Sequence, residues 1–135
     1  MRLLWAVEHE LTRLSRRMER TIGVTGPQRF VVRMVGRSPG VSAGELARTL
    51  HLHPSTLTEV LRRLTERGLV RRAHDPRDGR RALFWLTDDG RALDGRRRGT
   101  GEGRVRATLD AVPRRDLAAA ARVLGRLAHD LSSGA

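Results

Sequence analysis

Arg67-Gly68-Leu69-Val70-Arg71-Arg72-Ala73-His74-Asp75-Pro76-Arg77-Asp78-Gly79-Arg80-Arg81-Ala82-Leu83-Phe84-Trp85-Leu86-Thr87 is the stretch on which the fold turns. Leu69 to His74 and Ala82 to Leu86 read as two strands, with Asp75-Pro76-Arg77-Asp78-Gly79-Arg80 as the polar turn between them. Upstream of Gly68 the apolar residues keep helical spacing, so the hairpin follows directly on a helix. Trp85 falls on the strand face opposite Phe84 and Leu86. That places it either against a neighbouring helix or partly exposed at the surface.

Immediately before the hairpin, Pro54 opens a helix with Leu57, Val60, Leu61 and Leu64 on one face and Gly68 at its end. Only Leu50 to His53 separate it from a shorter helix, which Ser42 and Glu45 open with a capping box and Leu46 and Leu50 give a buried stripe. Two short helices joined by a tight turn make a helix-turn-helix, and a hairpin directly after it is a wing. Further upstream, Thr25 and Gln28 repeat the capping-box spacing, Pro27 sits in the first turn, and a helix runs over 26–37 until Ser38-Pro39-Gly40 breaks it. Residues 3–22 carry Leu4, Val7, Leu11, Leu14 and Met18 in steps of three and four. Such a heptad-like seam suits a helix-to-helix dimer contact, although an ordinary core-facing helix has the same periodicity.

Downstream, Thr87 caps a further helix whose first turn holds Asp88 and Asp89, where carboxylates complement the helix dipole. Gly95, Gly99, Gly101 and Gly103 each cost a helix about 1 kcal/mol relative to alanine, so a helix over 88–112 is expected to kink or fray there. From Pro113 the pattern recovers in Leu117, Ala120, Ala121, Leu124, Leu127 and Leu131, a last amphipathic helix able to pack against the first. The predicted fold is therefore mainly α with a small β-hairpin wing. Residues 23–87 form a winged helix-turn-helix domain, and residues 1–22 with 88–135 form a helical dimerisation region.

The 135 residues carry 27 basic and 15 acidic side chains, a formal charge of +12, and every basic residue is arginine. Such a balance calls for a polyanionic partner, nucleic acid first, although a uniform compositional bias would also produce it. Placement decides between the two. From Arg62 to Arg81 there are eight arginines against three acids, and this run coincides with the second helix of the helix-turn-helix and with the wing. On that helix the face away from the leucines shows Pro54, Ser55, Thr56, Thr58, Glu59, Arg62 and Arg63. Small hydroxyls at a helix start approach phosphates and base edges closely, and arginines further along reach guanine O6 and N7 or the backbone. On the wing, Arg77, Asp78, Arg80 and Arg81 complete the candidate DNA-binding set.

Other chemistries lack their signatures. There is no cysteine, which removes thiol redox sensing, disulfides and thiolate metal ligation. Histidines 9, 51, 53, 74 and 129 form no pair at i, i+4 spacing, so no metal site is expected. Gly99-Thr100-Gly101-Glu102-Gly103 has the look of a phosphate loop but follows no strand and lacks the Gly-Lys-Ser/Thr ending. No serine, histidine and acid can be assembled into an activated nucleophile, so no enzyme and no cofactor is expected. No membrane-length apolar run or secretory leader is visible, which predicts a cytoplasmic protein with no membrane partner.

Residues 24–90 resemble the MarR family of transcription regulators. The resemblance rests on Val24-Thr25-Gly26-Pro27-Gln28, Glu45-Leu46-Ala47, Ser55-Thr56-Leu57-Thr58, Arg63-Leu64, Arg67-Gly68-Leu69-Val70-Arg71-Arg72, Asp75-Pro76-Arg77-Asp78-Gly79-Arg80-Arg81, Leu86-Thr87 and Gly90. The wing motif followed by Leu86-Thr87 is its most specific part. The resemblance implies a homodimer on a pseudo-palindromic double-stranded DNA operator, with the helix after Pro54 in the major groove and each wing in the flanking minor groove. It also implies that Asp78 pairs with the Arg80 guanidinium to aim it, and that a small-molecule effector releases a repressor. Candidate effector residues are Trp5, His9, Arg13, Phe30 and Met34, most of which a hydrophobic core would explain as well. Two departures stand out: Glu59 lies where many relatives carry a basic residue, and the glycine-rich stretch 99–103 replaces a strong helix. The competing readings are an architectural DNA-binding protein and a winged-helix protein–protein interaction module.

Overall fold

Side-chain caps set the starts of four helices. In the computed structural model, which describes residues 1–98 and 100–133, α1 (Arg2–Ile22) is followed by α2 (Gly26–Arg37). The Thr25 hydroxyl accepts from the Gln28 N–H at 3.3 Å while the Gln28 side chain accepts from the Thr25 N–H at 3.1 Å. Both donors would otherwise be orphaned at the helix start. After β1 (Val41–Ser42), α3 (Ala43–Leu50) begins with the same reciprocal pair between Ser42 and Glu45. Next come α4 (Pro54–Glu66), β2 (Val70–Asp75), β3 (Asp78–Leu86) and α5 (Asp88–Gly95), whose cap is the Thr87 hydroxyl accepting from the Gly90 N–H at 3.0 Å.

The glycine-rich stretch breaks the helix instead of bending it: α5 stops at Gly95 and α6 (Glu102–Asp110) restarts after Gly101. Gly99 lies outside the described residues. The last helix, α7, spans Arg114–Ser133. The chain divides into two compact units, one up to Thr100 and one from Gly101 onward.

In the first unit the core is aliphatic. Val31, Val32 and Val35 of α2, Leu46 of α3, Leu57 and Leu64 of α4 and Val70 of β2 are buried, and Phe84 is its aromatic member. These are the positions that period 3.6 on the helices and period 2 on the strands place on one face. The N-terminal half of α1 stands apart from that core. Met18 is buried, but Leu4, Val7 and Leu11 are 40%, 58% and 53% exposed, so most of the predicted seam is uncovered within the first unit.

The sheet is antiparallel in the order β1-β3-β2. The two-residue β1, whose Val41 and Ser42 lie opposite Phe84 and Leu83, was not expected, because two residues carry no readable alternation. The wing also differs from the sequence reading. The second strand starts at Asp78 instead of Ala82, the first ends at Asp75 instead of His74, and only Pro76 and Arg77 turn the chain. Asp75 pairs with Asp78, yet His74 already pairs with Ala82, so Gly79, Arg80 and Arg81 have no residue opposite them and form a bulge. Local polar contacts produce this geometry. The Asp75 carboxylate accepts from the Arg77 N–H at 2.9 Å, Asp78 from the Arg80 N–H at 3.0 Å, and His74 Nδ1 donates to the Gly79 carbonyl at 3.0 Å.

The hairpin is mounted directly on α4 and α5. Leu69 N–H donates to the Leu64 carbonyl at 2.9 Å across Gly68, whose φ of +68° suits glycine. At the start of α5 a Cβ on Gly90 would lie 2.0 Å from the Leu69 carbonyl oxygen, so only glycine permits this approach.

Candidate nucleic-acid interface

The exposed face of α4 is the first half of the candidate surface. Leu57, Leu61 and Leu64 are buried, which turns Pro54, Ser55, Thr56, Thr58, Arg62 and Arg63 to solvent and leaves Glu59 half-exposed. Pro54 occupies the first turn as expected. The cap before it is His53, a role the sequence reading missed: its Nδ1 accepts from the Ser55 N–H at 3.3 Å and lies 2.7 Å from the Ser55 hydroxyl. Thr58 donates its hydroxyl to the Pro54 carbonyl at 2.8 Å, which fixes its rotamer.

Along the next turn, Glu59 gathers both arginines of this face. Its carboxylate accepts from Arg62 Nε and Nη2, both at 2.8 Å, and from Arg63 Nε at 2.6 Å. Arg62 also pairs with Glu66. Hydrogen bonds from Arg62, then from Arg63, hold the Glu59 carboxyl at about 2, well below the ordinary 4.5. The same contacts push the Arg62 guanidinium up, Glu59 first and Glu66 second.

The wing is the second half. Arg77, Asp78, Arg80 and Arg81 are all exposed, but they are not equivalent. Arg80 leaves the bulge with its backbone N–H held by Asp78. The contact that Asp78 makes is therefore to the main chain of Arg80, where the resemblance had implied its guanidinium. A short carboxylate two residues back reaches its neighbour's N–H more readily than the end of a long side chain. Arg81 is drawn away to the base of the wing, with Nη2 3.0 Å from Glu45 and 3.2 Å from the Ser42 hydroxyl. Hydrogen bonds from the Ser42 side chain, the Ser42 backbone and Arg81, in that order, hold the Glu45 carboxyl at about 2. Trp85 is half-buried: its ring lies against Gly40 and carries the Arg71 guanidinium 4.5 Å from its centroid.

The five candidate effector residues lie on α1 and α2, two helices that pack together. Trp5, His9 and Arg13 are exposed along α1, with Arg13 paired to Glu10 at 2.9 Å. Phe30 is 54% exposed, and Met34 packs against the core. A different residue of α2 is the buried polar centre. Arg29, only 2% exposed, donates to the carbonyls of Leu93 at 2.6 Å, Asp94 at 3.0 Å and Arg96 at 2.8 Å, at the C-terminal end of α5. Asp94 also binds Arg33 at 3.0 Å. A cation at the negative end of a helix dipole, satisfying carbonyls that lack intrahelical partners, is well placed for burial. Arg29 shares a helical face with Val32 and Gly36, and that spacing was the available signal.

Among the described residues no group of three or more acids and histidines could hold a metal ion, and no helix is long and apolar enough to cross a membrane.

Residues 22–81 match the model of the MarR family. The chain is 41% identical over 70 residues to the transcriptional regulator HosA of Escherichia coli O111:H-, a match covering 52% of each chain. It thus spans about half the length of that relative. It is 36% identical over 112 residues to the HTH-type transcriptional repressor Rv2887 of Mycobacterium tuberculosis, covering 81% of this chain and 78% of the relative. Its fold is similar to that of the PcaV transcriptional regulator from Streptomyces coelicolor, solved in complex with its natural ligand. There the TM-score is 0.74 and the identity 29%, over 94% of this chain and 89% of that one. A winged helix-turn-helix with a bulged arginine wing, matched over four-fifths of its length by a relative more than one-third identical, belongs to the MarR family.

Proposed function

We propose that this chain is a dimeric, sequence-specific double-stranded-DNA-binding transcriptional regulator of the repressor type. The observation that carries the reading is the direct succession of α4, which exposes hydroxyls and arginines on one face, and a basic wing that presents Arg80 on a bulge. The first fits a major groove; the second fits a narrow minor groove, whose concentrated negative potential attracts a guanidinium. The names of HosA and Rv2887 as regulator and repressor support the same reading.

Dimerisation is supported by the uncovered apolar seam of α1, since exposed Leu4, Val7 and Leu11 are costly to leave in water. On this reading residues 23–87 are the DNA-reading part, and residues 1–22 with 88–135 hold the two copies together in the cytoplasm. Release by a small-molecule effector is supported by PcaV, which was solved with its natural ligand, and Trp5, His9, Arg13, Phe30 and Met34 remain the candidate contacts.

The test is selection of bound sequences from random duplexes, followed by titration of the selected operator against random DNA at several salt concentrations. A short inverted repeat bound about 10³-fold or more tighter than random DNA, with a steep negative salt slope, is the expected result. Equal binding to all duplexes favours an architectural protein, and no binding favours a protein–protein module.

A further inference from the structure

The run from Arg62 to Arg81 is strongly basic, yet α4 itself is not. Between Pro54 and Glu66 stand Arg62, Arg63, Glu59 and Glu66, two charges of each sign. Both arginines are folded back onto Glu59. A surface meant only to grip phosphates gains nothing from a carboxylate at its centre, because that carboxylate ties up guanidinium donors and repels the DNA backbone. With its carboxyl held near 2, Glu59 is ionised throughout the working range and can only accept hydrogen bonds.

In the major groove, the partner for such an acceptor is an exocyclic amino group. Cytosine N4 fits best, since the adenine amino group is flanked by N7, which would repel the second carboxylate oxygen. The guanine paired with that cytosine offers O6 and N7, the acceptors an arginine reads bidentately. One C·G pair therefore satisfies both halves of the Glu59–Arg62–Arg63 cluster.

Building on the DNA-binding reading above, we propose that Glu59 is a specificity-determining residue. It accepts from a cytosine N4 at the operator and releases a neighbouring arginine to the paired guanine. On other sequences it keeps Arg62 and Arg63 withdrawn from DNA. Specificity then arises as much from penalising wrong sequences as from contacts to the right one.

Glu59→Gln tests this, because glutamine keeps the size and one acceptor oxygen but removes the charge; Glu59→Ala removes the acceptor as well. Circular dichroism first confirms that each variant is folded. Both variants are expected to bind random duplex about tenfold more tightly than the parent, with a salt slope steeper by about one charge as an arginine reaches phosphate. Selection with Glu59→Ala is expected to lose one C·G preference in each half-site. Replacing that deoxycytidine by the pyrimidin-2-one nucleoside, which lacks the amino group, should weaken the parent about tenfold and leave Glu59→Ala nearly unchanged. If the parent binds its operator but Glu59→Ala changes operator and random affinity by the same factor, the Glu59 assignment is overturned alone. If the parent shows no salt-dependent duplex binding, the DNA-binding reading is overturned and the assignment goes with it.

Discussion

Arg81 of the wing base aside, which pairs with Glu45, the two halves of the candidate interface carry arginines in opposite circumstances. On α4, Arg62 and Arg63 are paired with Glu59, and Arg62 with Glu66 as well. On the wing, Asp75 and Asp78 spend their carboxylates on the backbone N–H groups of Arg77 and Arg80. There the acids shape the chain and leave the guanidinium ends unneutralised by those contacts. Sequence-adjacent acids and bases thus do different work depending on the backbone beneath them. On a helix, residues three and four apart meet side by side, whereas in a tight turn a carboxylate reaches the main chain first. On the proposed DNA-binding reading, the difference gives general attraction to the wing and discrimination to the helix.

The sharpest way to break this comparison is to remove the wing charges together. Arg77→Ala with Arg80→Ala should weaken binding about 100-fold on operator and random duplex alike, and lower the salt slope by about two. A loss confined to the operator would make the wing a reader instead. Arg62→Ala is the converse experiment. It should cost about tenfold on the operator and far less on random DNA, where the arginine is already withdrawn; equal losses would erase the distinction.

A smaller effect separates the two accounts of Asp78. If its task is to accept from the Arg80 N–H, Asp78→Ala should weaken operator binding about fivefold through a loosened bulge, and Asp78→Asn, which keeps the acceptor, should restore most of it. A carboxylate that instead aimed the guanidinium by charge would leave asparagine as poor as alanine. The smallest expected effect is at the wing base. Folding lowers the Glu45 pKa from 4.5 to about 2, so its ionised form favours the native state. That contribution is complete above the unfolded value and fades as pH falls from about 4.5 to about 2. Urea unfolding of the parent and Glu45→Gln should therefore differ at pH 7 and converge toward pH 2, and a gap unchanged with pH would remove charge from the explanation.

How far these features could be read beforehand depended on the range of the interactions that produce them. Both capping boxes, the Thr87 cap and the buried leucines of α4 follow from contacts within four residues, and they stand where the sequence placed them. The wing was foreseen as a hairpin, but its bulge was not, since hydrophobic alternation stops before the aspartates take over. Strand β1 exists only because β3 lies beside it. Arg29 was missed for a related reason: its spacing with Val32 and Gly36 marks the inner face of α2, but its partners lie 64 to 67 residues away and no local pattern names them. The Glu59 cluster is local enough to be legible, being built from i, i+3 and i, i+4 pairs, yet the exposed position of each arginine alone does not show that it is already paired.

Helix α5 is clamped at both extremities. At its beginning the missing side chain of Gly90 lets the backbone rest against the Leu69 carbonyl, and Thr87 donates to the carbonyls of Leu69 at 3.2 Å and Gly68 at 2.5 Å. At its end the Arg29 guanidinium grips the carbonyls of Leu93, Asp94 and Arg96 around the final turn. In mechanical terms this is a beam built in at each support, unable to pivot about either. Moving one support must tilt the other, so a force on the hairpin root would be delivered to α2 through the beam, and a single methyl group at residue 90 would unseat it.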